Sequence, residues 1–173
     1  MPLAWPVLTQ NQFAMSPVLG MITLDPQPDT IPCQFNPSSA LATGMLVAGS
    51  PVKLVAFAGA QIVVDGITSA SDGPIYGIVE YSKQKNVYVP GDQLNVAAKG
   101  NVVYLWANAA INRGTRVGAV VPANTLTPPS VQTDTTSGDY TIGVALGQAS
   151  AQNNFLRVQI DPGLNAGTVG VSP

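Results

Sequence analysis

The run Val102-Val103-Tyr104-Leu105-Trp106-Ala107 constrains the fold more than any other stretch of the chain. Successive side chains of a strand point to opposite faces, so Val103, Leu105 and Ala107 share one face and Val102, Tyr104 and Trp106 the other. Neither face is polar. A strand that is apolar on both sides of the pleat needs two apolar surroundings, so it is either central in a closed sheet or pressed against another chain. Before it, Leu94, Val96 and Ala98 alternate, and Lys99-Gly100-Asn101 has the composition of a turn. The pattern predicts a hairpin across that turn.

Short strands separated by turn chemistry recur on either side. Val52 to Phe57 alternates; Gln61 to Val64 ends at Asp65-Gly66, a hairpin-type dipeptide; Ser71-Asp72-Gly73-Pro74 turns the chain into a strand from Ile75 to Ser82. A polar loop, Lys83 to Asn86, and the turn Pro90-Gly91-Asp92 lead into the central run. Beyond it, Thr115 to Val121, Tyr140 to Leu146 and Leu156 to Ile160 read as further strands. No 3.6-residue stripe develops, and Asn108 to Arg113 allows one helical turn at most before Gly114. The fold class is all-β, a small barrel or sandwich of short antiparallel strands. Gly77, Gly118 and Gly143 fall inside strands, where glycine marks a bend or a close approach of another backbone, and this favours a barrel. No internal repeat at a fixed period is visible.

The flanks differ. Residues 1–40 carry seven of the fifteen prolines, at positions 2, 6, 17, 26, 28, 32 and 37. Proline removes a backbone donor and drives the preceding residue toward extended geometry, so this stretch is expected to be an extended arm, with Val18 to Leu24 its one plausible short strand. The β domain then spans 41–161, and 162–173 is a flexible, Gly-rich tail. Residues 122–139, rich in Pro, Thr and Ser, form an excursion too long for a simple hairpin, and such loops are usually functional or disordered.

Charge narrows the function. Charged residues make up 9% of the 173 residues, against roughly 25% in an ordinary soluble domain. The net charge of -2, with seven scattered basic residues, offers no footprint for a phosphate backbone, so a nucleic-acid partner is not expected. No stretch approaches the roughly 20 apolar residues of a membrane span, and the N-terminus has no basic region preceding an apolar one. A soluble product of a cytoplasm, without an export signal, is expected.

Chemistry is poorly served. Histidine is absent, which removes the commonest general base and metal ligand together. Cys33 is the lone cysteine, which excludes an intrachain disulfide and reads as a buried thiol. Asp65, Asp72, Glu80, Asp92, Asp134, Asp139 and Asp161 remain, and all but Glu80 sit near Gly, Pro or Ser, where an Asp bonds its own local backbone. Phosphate-cradling, nucleophile-elbow and dinucleotide motifs are absent. Neither an enzyme nor a cofactor is expected.

The aromatic residues are more informative. Trp5, Phe13 and Phe35 belong to an arm with no core of its own, and no Lys or Arg precedes Lys53. A charge-poor segment with aromatics is not kept in water by its own charge and lies against something. With Tyr104 and Trp106 of the central strand, these residues are the expected partner-interface anchors.

On the strand run Ile75 to Tyr81, the polar Lys83 to Asn86 loop, Pro90-Gly91-Asp92, the AAKGNVVYLWA run and the segment INRGTRV from Ile111 to Val117, the chain resembles the structural cement, or capsid decoration, proteins of tailed bacteriophages. The resemblance covers about residues 42–160, and the 122–139 excursion departs from it. It implies a β-rich domain on the outer face of an icosahedral head, bridging neighbouring major capsid protein subunits, made in the host bacterial cytoplasm and associating as a homodimer or homotrimer. It implies no catalytic residues. A second reading is a carbohydrate- or host-surface-binding β module using Tyr76, Tyr88 and the 122–139 loop.

Overall fold

The computed structural model describes residues 20–22, 30–41, 44–69, 72, 74–120, 129–135 and 139–164. Among the described residues twelve strands follow one another: β1 (Thr30–Phe35), β2 (Leu46–Val47), β3 (Pro51–Ala58), β4 (Gln61–Gly66), β5 (Ile75–Val79), β6 (Val87–Tyr88), β7 (Gln93–Ala97), β8 (Val102–Ala107), β9 (Arg116–Ala119), β10 (Ser130–Thr133), β11 (Tyr140–Ala145) and β12 (Phe155–Leu164). The described residues contain no helix. The chain is all-β, as expected, but it closes two barrels. The first runs β1-β4-β3-β5-β7 and the second β10-β8-β12-β11-β9, while β2 and β6 pair as a two-stranded sheet.

Each barrel is filled by the inward residues of its strands. Cys33, Phe35, Val52, Val64, Val79, Leu94 and Val96 fill the first, with Leu46 and Tyr88 of the small sheet in the same cluster. Val103, Leu105, Ile142, Leu156, Val158 and Ile160 fill the second, and Ile67, Ile75, Ile78 and Ala97 of the first barrel pack into that same cluster. The barrels therefore meet across an apolar seam. Each buried Val, Leu or Ile contributes about 1.5 to 3 kcal/mol relative to exposure, so the seam ties the two units together.

The barrels repeat one another. Taking β1, β3, β4, β5, β7 and β8, β9, β10, β11, β12 as first to fifth strands, both close in the cyclic order first, third, second, fourth, fifth, with the first and third parallel. The register repeats as well. Val52 faces Gly77 and Lys53 faces Ile75, skipping Tyr76; Val117 faces Gly143 and Gly118 faces Thr141, skipping Ile142. Phe35 pairs with Val64 as Ala107 pairs with Val131. Even the connecting bonds match. Phe35 N–H donates to Asp92 O and Gly91 N–H to Phe35 O; Ala107 N–H donates to Asn154 O and Asn153 N–H to Ala107 O. Gly91 and Asn153, at equivalent turns, both have positive φ. The two barrels are register-matched copies of one five-stranded unit.

Five expectations change in this frame. The turn at Lys99-Gly100-Asn101 exists, with Asn101 N–H donating to Ala98 O at 3.2 Å. It does not make a hairpin, because β7 pairs with β1 and β5 and β8 with β10 and β12; it is the link between the barrels. Turn chemistry fixes that the chain reverses, not which strand its neighbour pairs with. Asp65-Gly66 likewise lies within β4, and the β3–β4 reversal is at Gly59-Ala60, with Gly59 at φ +64°.

The arm is shorter than 1–40, because Thr30–Phe35 is a barrel strand held between β4 and β7. Pro32 is tolerated there because the β1–β4 pairing begins only at Cys33. The 122–139 excursion contains β10. Finally, β12 runs past Pro162 to Leu164, opposite Tyr140 and Thr141. An irregularity in the β11–β12 register takes up the residue without an N–H.

Candidate functional site

The double-sided strand resolves as a central one. Val103, Leu105 and Ala107 of β8 are buried in the second barrel, whereas Tyr104 and Trp106 are half-buried on its outer wall. Phe155 of β12, directly opposite Trp106, stands edge-on to both rings, at 6.5 Å from Tyr104 and 5.9 Å from Trp106. Trp106 Nε1 is shielded from water and meets no acceptor among the described residues.

Next to this aromatic band the N-terminal segment enters the fold. Tyr104 N–H donates to Met21 O and Gly20 N–H to Tyr104 O, each at 2.8 to 2.9 Å, and Ile22 bridges Val103. Residues 20–22, part of the expected Val18 to Leu24 strand, thus extend the second barrel's sheet along β8. Tyr81 N–H donates to Gly20 O, so the same residue also bonds the first barrel. Gly20 has φ +73°, and a Cβ there would lie 2.5 Å from Gly49 N and 2.8 Å from Val79 O. Only glycine fits at this three-way junction.

Of the expected anchors, Tyr104 and Trp106 come together on one wall. Trp5 and Phe13 lie outside the described residues. Phe35 is corrected: it is fully buried in the first barrel, because β1 is a barrel strand and its inward position is core. Tyr88, expected to be available for stacking in the carbohydrate reading, is buried, with its hydroxyl donating to Lys85 O at 2.8 Å.

Sequence reasoning missed the tip of the β3–β4 hairpin. Residues 54–60 are all exposed, with Phe57 at 66%. The signal was present: no charged residue occurs between Lys53 and Asp65.

Four of the described carboxylates, Asp65, Asp72, Asp92 and Asp161, are tied to neighbouring side chains. Asp65 accepts from Asn36 Nδ2 at 2.8 Å and Ser39 Oγ at 2.7 Å, tying the loop after β1 to β4. Burial pushes the Cys33 thiol up to about 11, so the thiolate that would react is scarce at neutral pH. Among the described residues no group of three or more Cys, Asp, Glu or His side chains is placed to hold a metal. A polar recess with room for about 30 Å³, lined by Gly118, Gln132, Asp134, Asp139 and Tyr140, is the size of a water.

Three carboxylates carry an acid-sensitive share of stability. Burial alone would raise Asp72 above the usual 3.8, but hydrogen bonds from Lys53, at 2.6 Å, and Thr68 hold it below. Lys85, with the Val89 N–H, lowers Asp92, and Lys99 lowers Asp161. A carboxylate whose folded pKa is depressed stabilises the fold above its unfolded value and loses that contribution as pH falls through the folded one. The midpoint of thermal unfolding should therefore decline as the pH is lowered through the ordinary carboxylate value of 3.8 and below it. Asp72→Asn, which removes the least exposed of the three, should flatten the decline, and a flat wild-type profile over that window would contradict the assignment.

No protein-family model matches the chain, and no curated protein matches it.

Proposed function

We propose that this chain is a structural virion protein that binds the outer surface of a bacteriophage head and clamps neighbouring major capsid protein subunits, stabilising the capsid. Copies of the chain associate with one another in this reading, and it involves no catalysis and no cofactor. The residues that suggest the decoration-protein resemblance support it, as does a scaffold in which Asp65, Asp72, Asp92 and Asp161 are each held by neighbouring side chains.

The observation that carries it is the fixing of Gly20–Ile22 at the junction of both barrels. The segment before that point has no side-chain charge and brings Trp5 and Phe13. Ordering such a segment costs about 1 to 2 kcal/mol per residue, and burial of its apolar side chains on a partner at roughly 25 cal/mol per Å² is what offsets the cost. Apolar peptide segments can also bind by adding a strand to an exposed sheet edge.

The test removes residues 1–19 and keeps Gly20. The truncated chain should retain its far-UV spectrum and thermal midpoint while binding to expanded heads weakens by about a hundredfold or more, roughly 2.7 kcal/mol. Coating of heads at wild-type affinity would overturn the proposal. Removing 1–40 is not equivalent, since it deletes β1 and opens the first barrel.

A further inference from the structure

Equivalent edges of the two barrels treat the leading segment differently. In β8, Asn108 N–H donates to Val131 O, and backbone groups of alternate residues face one edge, so Trp106 and Tyr104 face that same edge. β10 covers it at Trp106 and Ala107. At Tyr104 the leading segment takes over: the Tyr104 N–H donates to Met21 O and its carbonyl accepts from Gly20 N–H. In β1, Asn36 N–H donates to Val64 O, so Gln34 and Pro32 face the corresponding edge. β4 covers that edge from Cys33 onward, and among the described residues no strand lies on it at Pro32.

Pro32 stands where the second barrel has Tyr104. The first pairs with Asn95 of β7 and the second with Arg157 of β12, the matching strands of the two barrels. The Tyr104 N–H is the donor that holds Met21, and proline has no N–H to give. A proline on a strand edge is also a known block to the addition of another strand. Its ring is exposed, so burial in the core does not account for it.

The block matters because the β1 edge is the nearer one along the chain. Ile22 bridges Val103 in the antiparallel sense, closing a loop over residues 23–102. The same pairing on β1 would set Ile22 opposite Ile31 and close a loop over residues 23–30 only, at a smaller cost in entropy. The second barrel side counters with a fitted niche: Tyr81 N–H donates to Gly20 O, and a Cβ on Gly20 would lie 2.5 Å from Gly49 N. Selection between two similar edges is sharpest when one attracts and the other repels. Gly20 supplies the first half and Pro32 the second.

We propose that Pro32 is a specificity-determining residue: it closes the β1 edge to the leading segment, assigns that segment to the β8 edge, and so fixes the point at which residues 1–19 join the fold. The proposal rests on the capsid reading only for what residues 1–19 then contact. The test is amide hydrogen exchange and cross-strand nuclear Overhauser contacts on the full chain by NMR. In wild type the Tyr104 amide should exchange slowly and Ile22 should contact Val103. Gly20→Val should speed exchange at Tyr104 by roughly tenfold or more, because the segment loses its niche, and Ile22 should gain no contact with Ile31. Adding Pro32→Val restores a donor on the β1 edge; the new amide at position 32 should then exchange slowly and Ile22 should contact Ile31. Gly20→Ala and Pro32→Ala supply the same changes should a valine disturb folding. Contact between Ile22 and Ile31 while Pro32 is present, a freely exchanging position 32 in the double variant, or a Tyr104 amide unaffected by the change at Gly20 would each overturn the proposal. A wild type that shows these exchange patterns but fails to bind heads would contradict the capsid reading and leave the role of Pro32 standing.

Discussion

Gly143→Ala is expected to lower stability by about 3 kcal/mol or more, a large share of what a domain possesses. A Cβ at this position in β11 would overlap the carbonyl oxygen of Gln159 and come within 2.9 Å of Asp161 N. Both obstacles are backbone of β12, so no side chain can rotate away. The strand pair must separate instead, in the part of the barrel where Ile142, Val158 and Ile160 are fully packed. Gly77→Ala should behave in the same way in the first barrel, where the added methyl would meet the carbonyl oxygen of Ala97 and the side chain of Val96. Gly118→Ala is the internal comparison. Its Cβ would find ordinary contact with Asp134 at 3.5 Å, and it should cost less than about 1 kcal/mol. Urea unfolding of the three variants separates these outcomes, and equal tolerance at Gly118 and Gly143 would contradict the register.

Phe35→Ala should cost about 3 to 5 kcal/mol of stability, the range for a buried phenylalanine. The side chain is fully buried and belongs to the cluster with Val52, Val64 and Val96. An interface anchor would behave in the opposite way, losing partner binding at unchanged stability. Chemical denaturation combined with binding to heads, measured where the variant is still folded, distinguishes the two roles. Loss of binding without loss of stability would restore Phe35 to the interface and contradict its place in the core.

That residue also shows where sequence reading stops. The proline count around Phe35 argued correctly against helix, yet Pro32 sits at the one part of β1 not laddered to β4, so prolines and a barrel strand coexist. Local signals found the all-β class, most strands, the turn at Ala98 to Asn101 and the strand glycines, because periodicity and turn chemistry are written into neighbouring residues. Strand partners are not. Leu94, Val96 and Val102 to Ala107 looked like one hairpin, but each side pairs within its own barrel.

The duplication was hidden for a related reason. Equivalent strands keep pairing and inward size, not identity: Phe35 corresponds to Ala107, and Pro32 to Tyr104. The connections also differ in length, with β3 and β4 joined by Gly59-Ala60 and β9 and β10 by residues 120–129. No fixed period survives such changes. The candidate interface was legible in part. Tyr104 and Trp106 do share a wall, but the exposed tip at Leu54 to Ala60 read as one more alternating strand, since exposure depends on where the barrel ends.

The central claim is that this chain sits on a capsid through its charge-free leading segment. An electron-microscopic reconstruction of expanded heads incubated with the full chain, at side-chain resolution, tests it most directly. The account predicts the double barrel on the outer surface, with Trp5 and Phe13 in contact with capsid subunits. Bare heads at saturating concentration, or a bound chain with both aromatics surrounded by solvent, would contradict it.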